Sequence, residues 1–228
     1  MNLDNSADTC YDQVILVDKP AGISSFGAVA RVRRYLTKQA GHRVKVGHCG
    51  TLDPFATGLL ILVSGKFTRR AGEFSGLDKV YRATIRLGAT STTGDPEGEI
   101  TDHQVAELPT LDEVQRVLAD FTGKITQTPP AYSAIKINGQ RAYHLARAGR
   151  EVEMPSRQVT IYWIKLLSYD YPNLVIETKV SSGTYIRSLA ADIGQALNTG
   201  AYTTELRRLS IGDYRVGDAK QLTDFSSD

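Results

Sequence analysis

Apolar and polar positions alternate along this chain in patterns that predict both strands and helices. Short apolar runs and period-two alternation predict strands over residues 14–17, 59–63, 81–87, 159–169 and 174–180. Helical spacing predicts helices from Ser24 or Ser25 to about Lys38, from the capping box at 110–113 to Gly123, over 140–148, and over 186–197. Hairpins outnumber clear crossover connections, so the pattern favours an α+β fold with a mixed, mainly antiparallel sheet flanked by helices.

Composition limits the class of protein but says little about its function. Of the 228 residues, 41% are hydrophobic and 23% are charged, which suits one foldable domain over residues 1–228. The first residues lack an apolar signal core, and the longest apolar run, Leu59 to Val63, is far too short to cross a membrane. Cys10 and Cys49 fit neither a metal-site spacing nor a disulfide framework. We therefore expect a cytoplasmic protein without a metal site.

The net charge of +2 is uninformative, but the basic residues are clustered. One cluster comprises Arg31, Arg33, Arg34, Lys38, Arg43 and Lys45, and a second comprises Arg141, His144, Arg147 and Arg150. Such clusters either attract phosphates or are solvated faces of helices, and the sequence leaves both interpretations open.

Several common catalytic motifs are absent. Gly65-Lys66 has no glycine five residues before it, so it is not a P-loop. The segment from Gly22 to Phe26 lacks the second glycine of a nucleophile elbow. The four histidines do not have metalloprotease spacing, and no glycine-rich dinucleotide motif follows a predicted strand.

The segment from Val46 to Gly58 is unusual, because three glycines and a proline surround one histidine and one aspartate just before an apolar strand. A loop constrained in this way can hold the carboxylate of Asp53 rigidly at a cleft. Alternatively, Asp53 begins a turn before Pro54 and His48 is a hydrogen-bonded structural residue.

Five ordered blocks of sequence resemble the TruB family of pseudouridine synthases over residues 14–214. The blocks are Leu16–Gly22, Val46–Gly58, Asp78–Asp95, Gln127–Arg147 and Ser182–Leu209. The resemblance implies the pseudouridine synthase fold and an isomerase that converts uridine 55 in the T-loop of tRNA to pseudouridine. It also implies that no metal or cofactor takes part, and that the partner is the tRNA T-arm, with no membrane and no obligatory partner protein.

The resemblance implies a role for each matching residue. Asp53 matches the nucleophile, which attacks either ribose C1′ or uracil C6. Tyr81 matches a tyrosine that stacks on the flipped base, although an alternating strand also explains a buried tyrosine. Arg187 matches an arginine that pairs with the catalytic aspartate, although a surface arginine at a helix start is the alternative. Tyr185 is expected in the pocket, and Leu206 is either a pocket wall or a core residue.

Other matching residues are expected to contact RNA. His48 matches a histidine that helps to open the T-loop, while Lys19 either supports the site or contacts a phosphate. An insertion over about 127–150, which carries Lys136, Arg141 and Arg147, is expected to grip the T-arm.

The chain departs from the family pattern at two points. Cys49 stands where threonine is expected. Because only a short stretch follows the matching blocks, we expect no C-terminal PUA module of the kind that many members carry. Two other functions remain as alternatives, namely a non-catalytic RNA-binding protein on the same fold and a pseudouridine synthase that acts on another RNA.

Overall fold

The computed structural model describes residues 11–133, 135–137, 139–147 and 153–226. The strands are β1 (Val14–Lys19), β2 (Val46–His48), β3 (Thr57–Ser64), β4 (Lys79–Leu87), β5 (Ala89–Ser91), β6 (Ile100–Asp102), β7 (Gly123–Gln127), β8 (Lys136–Ile137), β9 (Gln140–Arg141), β10 (Arg157–Asp170), β11 (Asn173–Val180), β12 (Ala201–Ile211), β13 (Tyr214–Arg215) and β14 (Lys220–Gln221). The α-helices are α1 (Ser25–Ala40), α2 (Ala71–Ser75), α3 (Leu111–Asp120), α4 (Ala142–Arg147) and α5 (Ile186–Ala196).

The chain divides into two compact units. The first comprises residues up to 79 and residues from 207 onward, and the second comprises residues 80–206. The long strand β12 therefore gives its first part to the second unit and its last part to the first unit. No helix in the described ranges has the length and apolar character needed to span a membrane.

In the first unit, β3 lies at the centre of the order β14-β1-β3-β12. It pairs antiparallel with β1 and β2, and parallel with the 207–208 part of β12. Because β3 is covered on both faces, seven of its eight residues are buried. Leu60 and Leu62 pack on one face with α1, whereas Leu59, Ile61 and Val63 pack on the other face with Phe74 and Ile211.

Helix α1 begins where its sequence signals predict and ends slightly later than they predict. Ser24 is the N-cap, and its hydroxyl accepts from the backbone N–H of Gly27 at 3.0 Å. Ala28, Val29, Val32 and Leu36 form the buried stripe. The helix continues two residues beyond Lys38, and Gly41 ends it in the left-handed conformation.

The second unit contains the strand order β12-β4-β11-β10-β7 and helices α3 and α5. β11 pairs antiparallel with β10, and β10 pairs antiparallel with β7. The predicted capping box of α3 is confirmed, because Thr110 Oγ1 accepts from Glu113 N while the Glu113 carboxylate accepts from Thr110 N at 2.7 Å. The apolar face of α5 buries Ile186, Leu189 and Ile193.

The predicted α+β class with a mixed, mainly antiparallel sheet is confirmed, but some elements were not predicted. β7 begins at Gly123, where the sequence indicated only the end of a helix, and α3 already ends at Asp120. The helix expected over 140–148 is shorter, because residues 140–141 form β9 and α4 occupies Ala142–Arg147. Residue 148, the last of that expected helix, lies outside the described residues.

Candidate active site

Asp53 lies in the first unit, in the loop between β2 and β3. The carbonyl of Asp53 accepts from Ala56 N at 3.2 Å, which closes a tight turn around Pro54. The preceding residue, Leu52, is buried, and its backbone N–H and C=O both bond to the hydroxyl of Ser25 at 2.8 and 2.9 Å. The loop that carries Asp53 is therefore fixed to the start of α1 by its own backbone.

Lys19 anchors the other side of the same turn. Its ammonium group donates to the carbonyl of Pro54 at 3.2 Å and to the carbonyls of Pro20 and Ile23 at 2.8 Å. Gly22 N also donates to the Pro54 carbonyl, at 2.9 Å. Lys19 is fully buried, so this geometry favours its role as a support for the loop over contact with a phosphate.

A second buried cation, Arg208, holds the loop from β12, within the first unit. Its guanidinium donates to the carbonyls of Leu59 at 2.7 Å, Thr51 at 3.2 Å and Gly50 at 3.4 Å. Only 1% of Arg208 is exposed. Arg208 lies in the matching block Ser182–Leu209, but no periodicity connects it to a loop about 150 residues earlier, so its role was not predicted.

Two neighbours of Asp53 in the sequence begin the loop. His48 ends β2, is half-buried and pairs with Leu62 of β3. Cys49 N donates to Ile61 O at 2.9 Å, and its side chain packs with Leu59 and Ile61. Burial raises the pKa of the Cys49 thiol to about 11, so this residue fills apolar space as a small hydrophobic group and is not a nucleophile.

Arg187 lies in the second unit, at the start of α5, and is not a surface residue, since only 3% of its side chain is exposed. It forms a buried ion pair with Asp95, with 3.1 Å between Nη1 and Oδ2. Nη1 also donates to Thr93 O at 2.7 Å and Nη2 donates to Tyr132 O at 2.9 Å. The expected pairing with Asp53 stays a prediction, whereas Asp95 is a partner that the sequence reasoning missed.

Asp95 is itself held by its own loop. Its Oδ1 accepts from the hydroxyl of Thr93 at 2.5 Å and from the backbone N–H of Glu97 at 3.0 Å. A carboxylate with these donors and an arginine partner is satisfied despite burial. Asp95 therefore fixes the direction in which Arg187 leaves α5.

Tyr185 directly precedes α5 and is clamped by Gln127 at the end of β7. Gln127 Oε1 accepts from Tyr185 N at 2.8 Å, while Gln127 Nε2 donates to Tyr185 O at 3.0 Å. The Arg157 guanidinium lies 5.0 Å from the centre of the Tyr185 ring. Gln127 is 1% exposed, and the sequence gave no signal for this clamp beyond its place in a matching block.

Tyr81 and Leu206 also lie in the second unit. Tyr81 is on β4, where buried positions alternate with less buried ones, and 7% of it is exposed. Leu206 is on β12 and is equally buried, with 7% exposed. Burial of this kind suits both a pocket wall and a core residue, so the functional roles of the two residues stay predictions.

The insertion expected over about 127–150 contains the β8–β9 hairpin and α4. Lys136 pairs with Arg141 across the hairpin, and Ala142 N donates to Ile135 O at 2.8 Å. The side chains of Lys136, Arg141 and Arg147 lie outside the part of the chain that the structure describes. Their expected contacts with RNA stay predictions.

Metal ligands are not gathered at any of these positions. Among the described residues, no group of three or more His, Cys, Asp or Glu side chains could hold a metal ion. The first unit supplies the carboxylate of Asp53 on a rigid loop. The second unit supplies Arg187 and Tyr185, each of which is fixed by hydrogen bonds. A carboxylate presented in this way is suited to act as a nucleophile.

Comparison with known proteins gives concordant matches. Residues 33–186 match the model of the TruB family pseudouridylate synthase N-terminal domain, and residues 187–227 match the tRNA pseudouridylate synthase B C-terminal domain. A protein of Phocaeicola vulgatus named tRNA pseudouridine synthase B is 44% identical over 93% of this chain and 91% of its own length. The protein of the same name from Bacteroides thetaiotaomicron is 47% identical over 90% of this chain and 88% of its own length.

Solved structures match with lower identity. The Cbf5-Nop10-Gar1 complex contains a chain that is 30% identical, with a TM-score of 0.72 over 94% of this chain. A chain in an H/ACA RNP bound to a substrate RNA containing 2′-deoxyuridine is 27% identical, with a TM-score of 0.69. This chain spans about half the length of those two chains (53% and 52%).

Proposed function

We propose that this chain, which belongs to the TruB family of pseudouridylate synthases, converts uridine 55 in the T-loop of tRNA to pseudouridine with Asp53 as the nucleophile. Family membership establishes the broader activity. The chain is an enzyme that makes pseudouridine in tRNA. The choice of uridine 55, the confinement of recognition to the T-arm and the residue roles are the proposed parts. As a tRNA-modifying enzyme, it is expected to act in the cytoplasm.

The reaction moves the glycosidic bond of uridine from N1 to C5 of the same base. The product is an isomer of the substrate, so no electrons and no groups enter or leave. Asp53 opens the reaction by attack at ribose C1′ or at uracil C6, and the covalent adduct divides one difficult step into easier ones. In attack at C1′, the C1′–N1 bond breaks as the bond to Asp53 forms, and the bond to Asp53 breaks when C5 bonds to C1′. In attack at C6, the C1′–N1 bond is exchanged for a C1′–C5 bond while the adduct persists, and the bond between Asp53 and C6 breaks last. In both cases the C5 proton is lost as N1 gains one.

The observation that carries the proposal for Asp53 is the double anchoring of its loop. Buried Lys19 holds the carbonyl that follows Asp53, and buried Arg208 holds two carbonyls that precede it. Charged donors to carbonyls make hydrogen bonds stronger than neutral ones. A carboxylate needs such fixed geometry to approach one atom of a flipped nucleotide, because an error of about 1 Å costs about a hundredfold in rate.

The base must leave the stack of the T-loop before it can react. Unstacking costs a few kcal/mol, and a tyrosine face returns about 1–3 kcal/mol per stacked base. We assign this stacking to Tyr81 and place Tyr185 and Leu206 in the same pocket. Arg187 is assigned to keep the Asp53 carboxylate ionised, in addition to its observed ion pair with Asp95.

The decisive experiment is incubation with an unmodified tRNA transcript, followed by mapping of pseudouridine. We expect one modified position, uridine 55, and we expect Asp53→Asn to abolish turnover while it retains RNA affinity, because an amide keeps the shape but is a poor nucleophile. Asp120→Asn, at an exposed residue that ends α3, is the matched control. A rate of even one tenth of normal for Asp53→Asn removes Asp53 from its role.

A second experiment tests the extent of recognition. If the T-arm provides all contacts, an isolated T-arm stem-loop is modified with a kcat/KM similar to that of full-length tRNA. The two RNAs are compared at one salt concentration with one enzyme preparation. A stem-loop that is a hundredfold poorer shows that the enzyme contacts more of the tRNA.

A further inference from the structure

A basic groove lies along α1 and the loop that follows it, in the first unit. Two adjoining open depressions, of about 590 and 390 Å³, share Arg33 and Arg43 in their walls. The other basic residues of the walls are Arg34, Lys38 and Lys45. We call the surface formed by these five residues the α1 groove.

The α1 groove belongs to a stretch of chain without acidic residues. Residues 20–52 contain six of the 27 Lys and Arg residues of the protein and none of its 25 Asp and Glu residues. The negative end of the α1 dipole favours a cation in the last helical turn, which accounts for Lys38. It does not account for Arg33 and Arg34 one turn earlier, or for Arg43 beyond the helix.

The arginines of the α1 groove are not neutralised by carboxylates. Within the described ranges, the guanidinium groups of Arg33, Arg34 and Arg43 form no ion pair. Arg34 and Arg43 are exposed, and Arg33 is half-buried.

Three surface arginines elsewhere are paired with carboxylates. Arg70, Arg82 and Arg86 pair with Glu73, Glu177 and Asp102, with nitrogen–oxygen distances of 2.8, 3.2 and 2.8 Å. Unlike these three arginines, those of the groove have no carboxylate partner among the described residues, so they are available for an external anion.

The backbone beneath the groove is fixed. Gly41 ends α1 in the left-handed conformation, and Val44 N then donates to the hydroxyl of Thr37 at 3.2 Å. This bond folds the loop back on the helix and brings Arg43 beside Arg33. The carbonyl of Lys45 accepts from Gly65 N at 2.9 Å, so the far end of the loop is tied to the residue that follows β3. Cations on a rigid frame lose less entropy when they bind an anion.

We propose that the α1 groove binds the phosphate backbone of the substrate tRNA, as a contact surface additional to the insertion at 127–150. Several converging cations on an open surface suit an extended polyanion, because each phosphate that they neutralise releases counterions. Guanidinium groups favour phosphate in particular, since they donate in a planar fork that matches its oxygens. The proposal rests on the activity towards tRNA and does not depend on which uridine is modified.

The test compares two triple variants that lose the same charge. The first is Arg33→Gln, Arg34→Gln and Arg43→Gln, and the control is Arg70→Gln, Arg82→Gln and Arg86→Gln. Dissociation constants for unmodified tRNA are measured from about 50 to 200 mM salt, after circular dichroism has shown that both proteins are folded. We expect the groove variant to bind at least about tenfold more weakly and to lose two to three units of salt slope, at about one unit per phosphate contact.

Two outcomes would overturn the proposal. In the first, the groove variant has the same affinity for tRNA and the same salt slope as the wild type. In the second, the control variant loses as much affinity as the groove variant, which would show that net charge alone causes the loss. The same titration with a T-arm stem-loop locates the bound phosphates in the T-arm or elsewhere in the tRNA. If wild-type enzyme modifies a position other than 55, the proposed function fails but the binding comparison keeps its meaning.

Discussion

The close approach of β3 and β12 at Gly58 makes the substitution Gly58→Ala a severe test of the packing behind the Asp53 loop. Gly58 pairs with Arg208 in the parallel ladder and has a φ of 106°. A Cβ at this position would collide with the backbone carbonyl oxygen of Arg208 and lie 2.7 Å from its backbone nitrogen. Neither atom belongs to a flexible side chain, so the strand itself must move.

Two other glycines separate the contributions to the cost. Gly50 has a φ of 121° but nothing within 4 Å of an added Cβ, so Gly50→Ala measures backbone strain alone, about 1–3 kcal/mol. Gly47 has neither problem, and Gly47→Ala is expected to be neutral or to stabilise by about 0.4–1 kcal/mol through the unfolded state. Gly58→Ala combines strain with an overpacking cost of about 1–3 kcal/mol or more, which gives a total of about 2–6 kcal/mol.

The assay is urea unfolding of the wild type and the three variants, followed by far-UV circular dichroism. We expect the free energy of unfolding to fall in the order Gly47→Ala, Gly50→Ala, Gly58→Ala, with melting temperatures about 2–4 °C lower for each kcal/mol lost. If Gly58→Ala is as stable as Gly50→Ala, the strands do not approach as closely as described, and the reasoning fails.

Tyr81, Gln127, Cys49 and the buried cation Lys79 can each be tested by one substitution or measurement. Tyr81→Leu lowers the single-turnover rate far more than Tyr81→Phe, because stacking needs a ring face; equal rates for the wild type and the leucine variant leave only a core role. Gln127→Ala lowers kcat more than it raises KM, because Tyr185 loses both bonds that fix it; an unchanged kcat argues against a positioning role. Cys49 reacts with iodoacetamide far more slowly in the folded protein than in urea, since burial raises the pKa of its thiol to about 11; equal labelling by mass spectrometry contradicts this. Burial and, to a lesser extent, the charge of Arg208 lower the pKa of Lys79 to about 8. In the unfolded chain Lys79 has its ordinary pKa of about 10.4, so between these two pH values the unfolded state binds more protons than the folded state. The free energy of unfolding of the wild type should therefore rise between pH 8 and about 10.4 relative to that of Lys79→Met. If the two proteins give parallel profiles of stability against pH, the lowered pKa of Lys79 is refuted.

Local sequence signals predicted the elements whose formation depends on residues that are close in sequence. The helix caps at Ser24 and Thr110 are examples, because a cap is decided within about four residues. The hairpin of β10 and β11 was also predicted, since its strands are adjacent in sequence.

The features that were not predicted depend on contacts between residues that are distant in sequence. β12 was not predicted, because its parallel partner β3 lies about 150 residues earlier and its own pattern mixes polar and apolar positions. Asp95 and Gln127 were missed as partners of Arg187 and Tyr185 for the same reason. Resemblance to a family indicated the candidate site residues, whose roles stay predictions, but it did not indicate the side chains that hold them in place.

The anchoring of the Asp53 loop by Arg208 also has a consequence for synthesis on the ribosome. The bond between Arg208 and Leu59 joins residues 149 positions apart. At about 5–20 residues per second, roughly 7–30 s pass between the emergence of the loop and the emergence of its anchor. A nascent chain therefore carries Asp53 long before Arg208 can bond to its loop, and a truncation before residue 207 should leave an N-terminal fragment whose loop keeps the contacts of Lys19 and Ser25 but lacks those of Arg208.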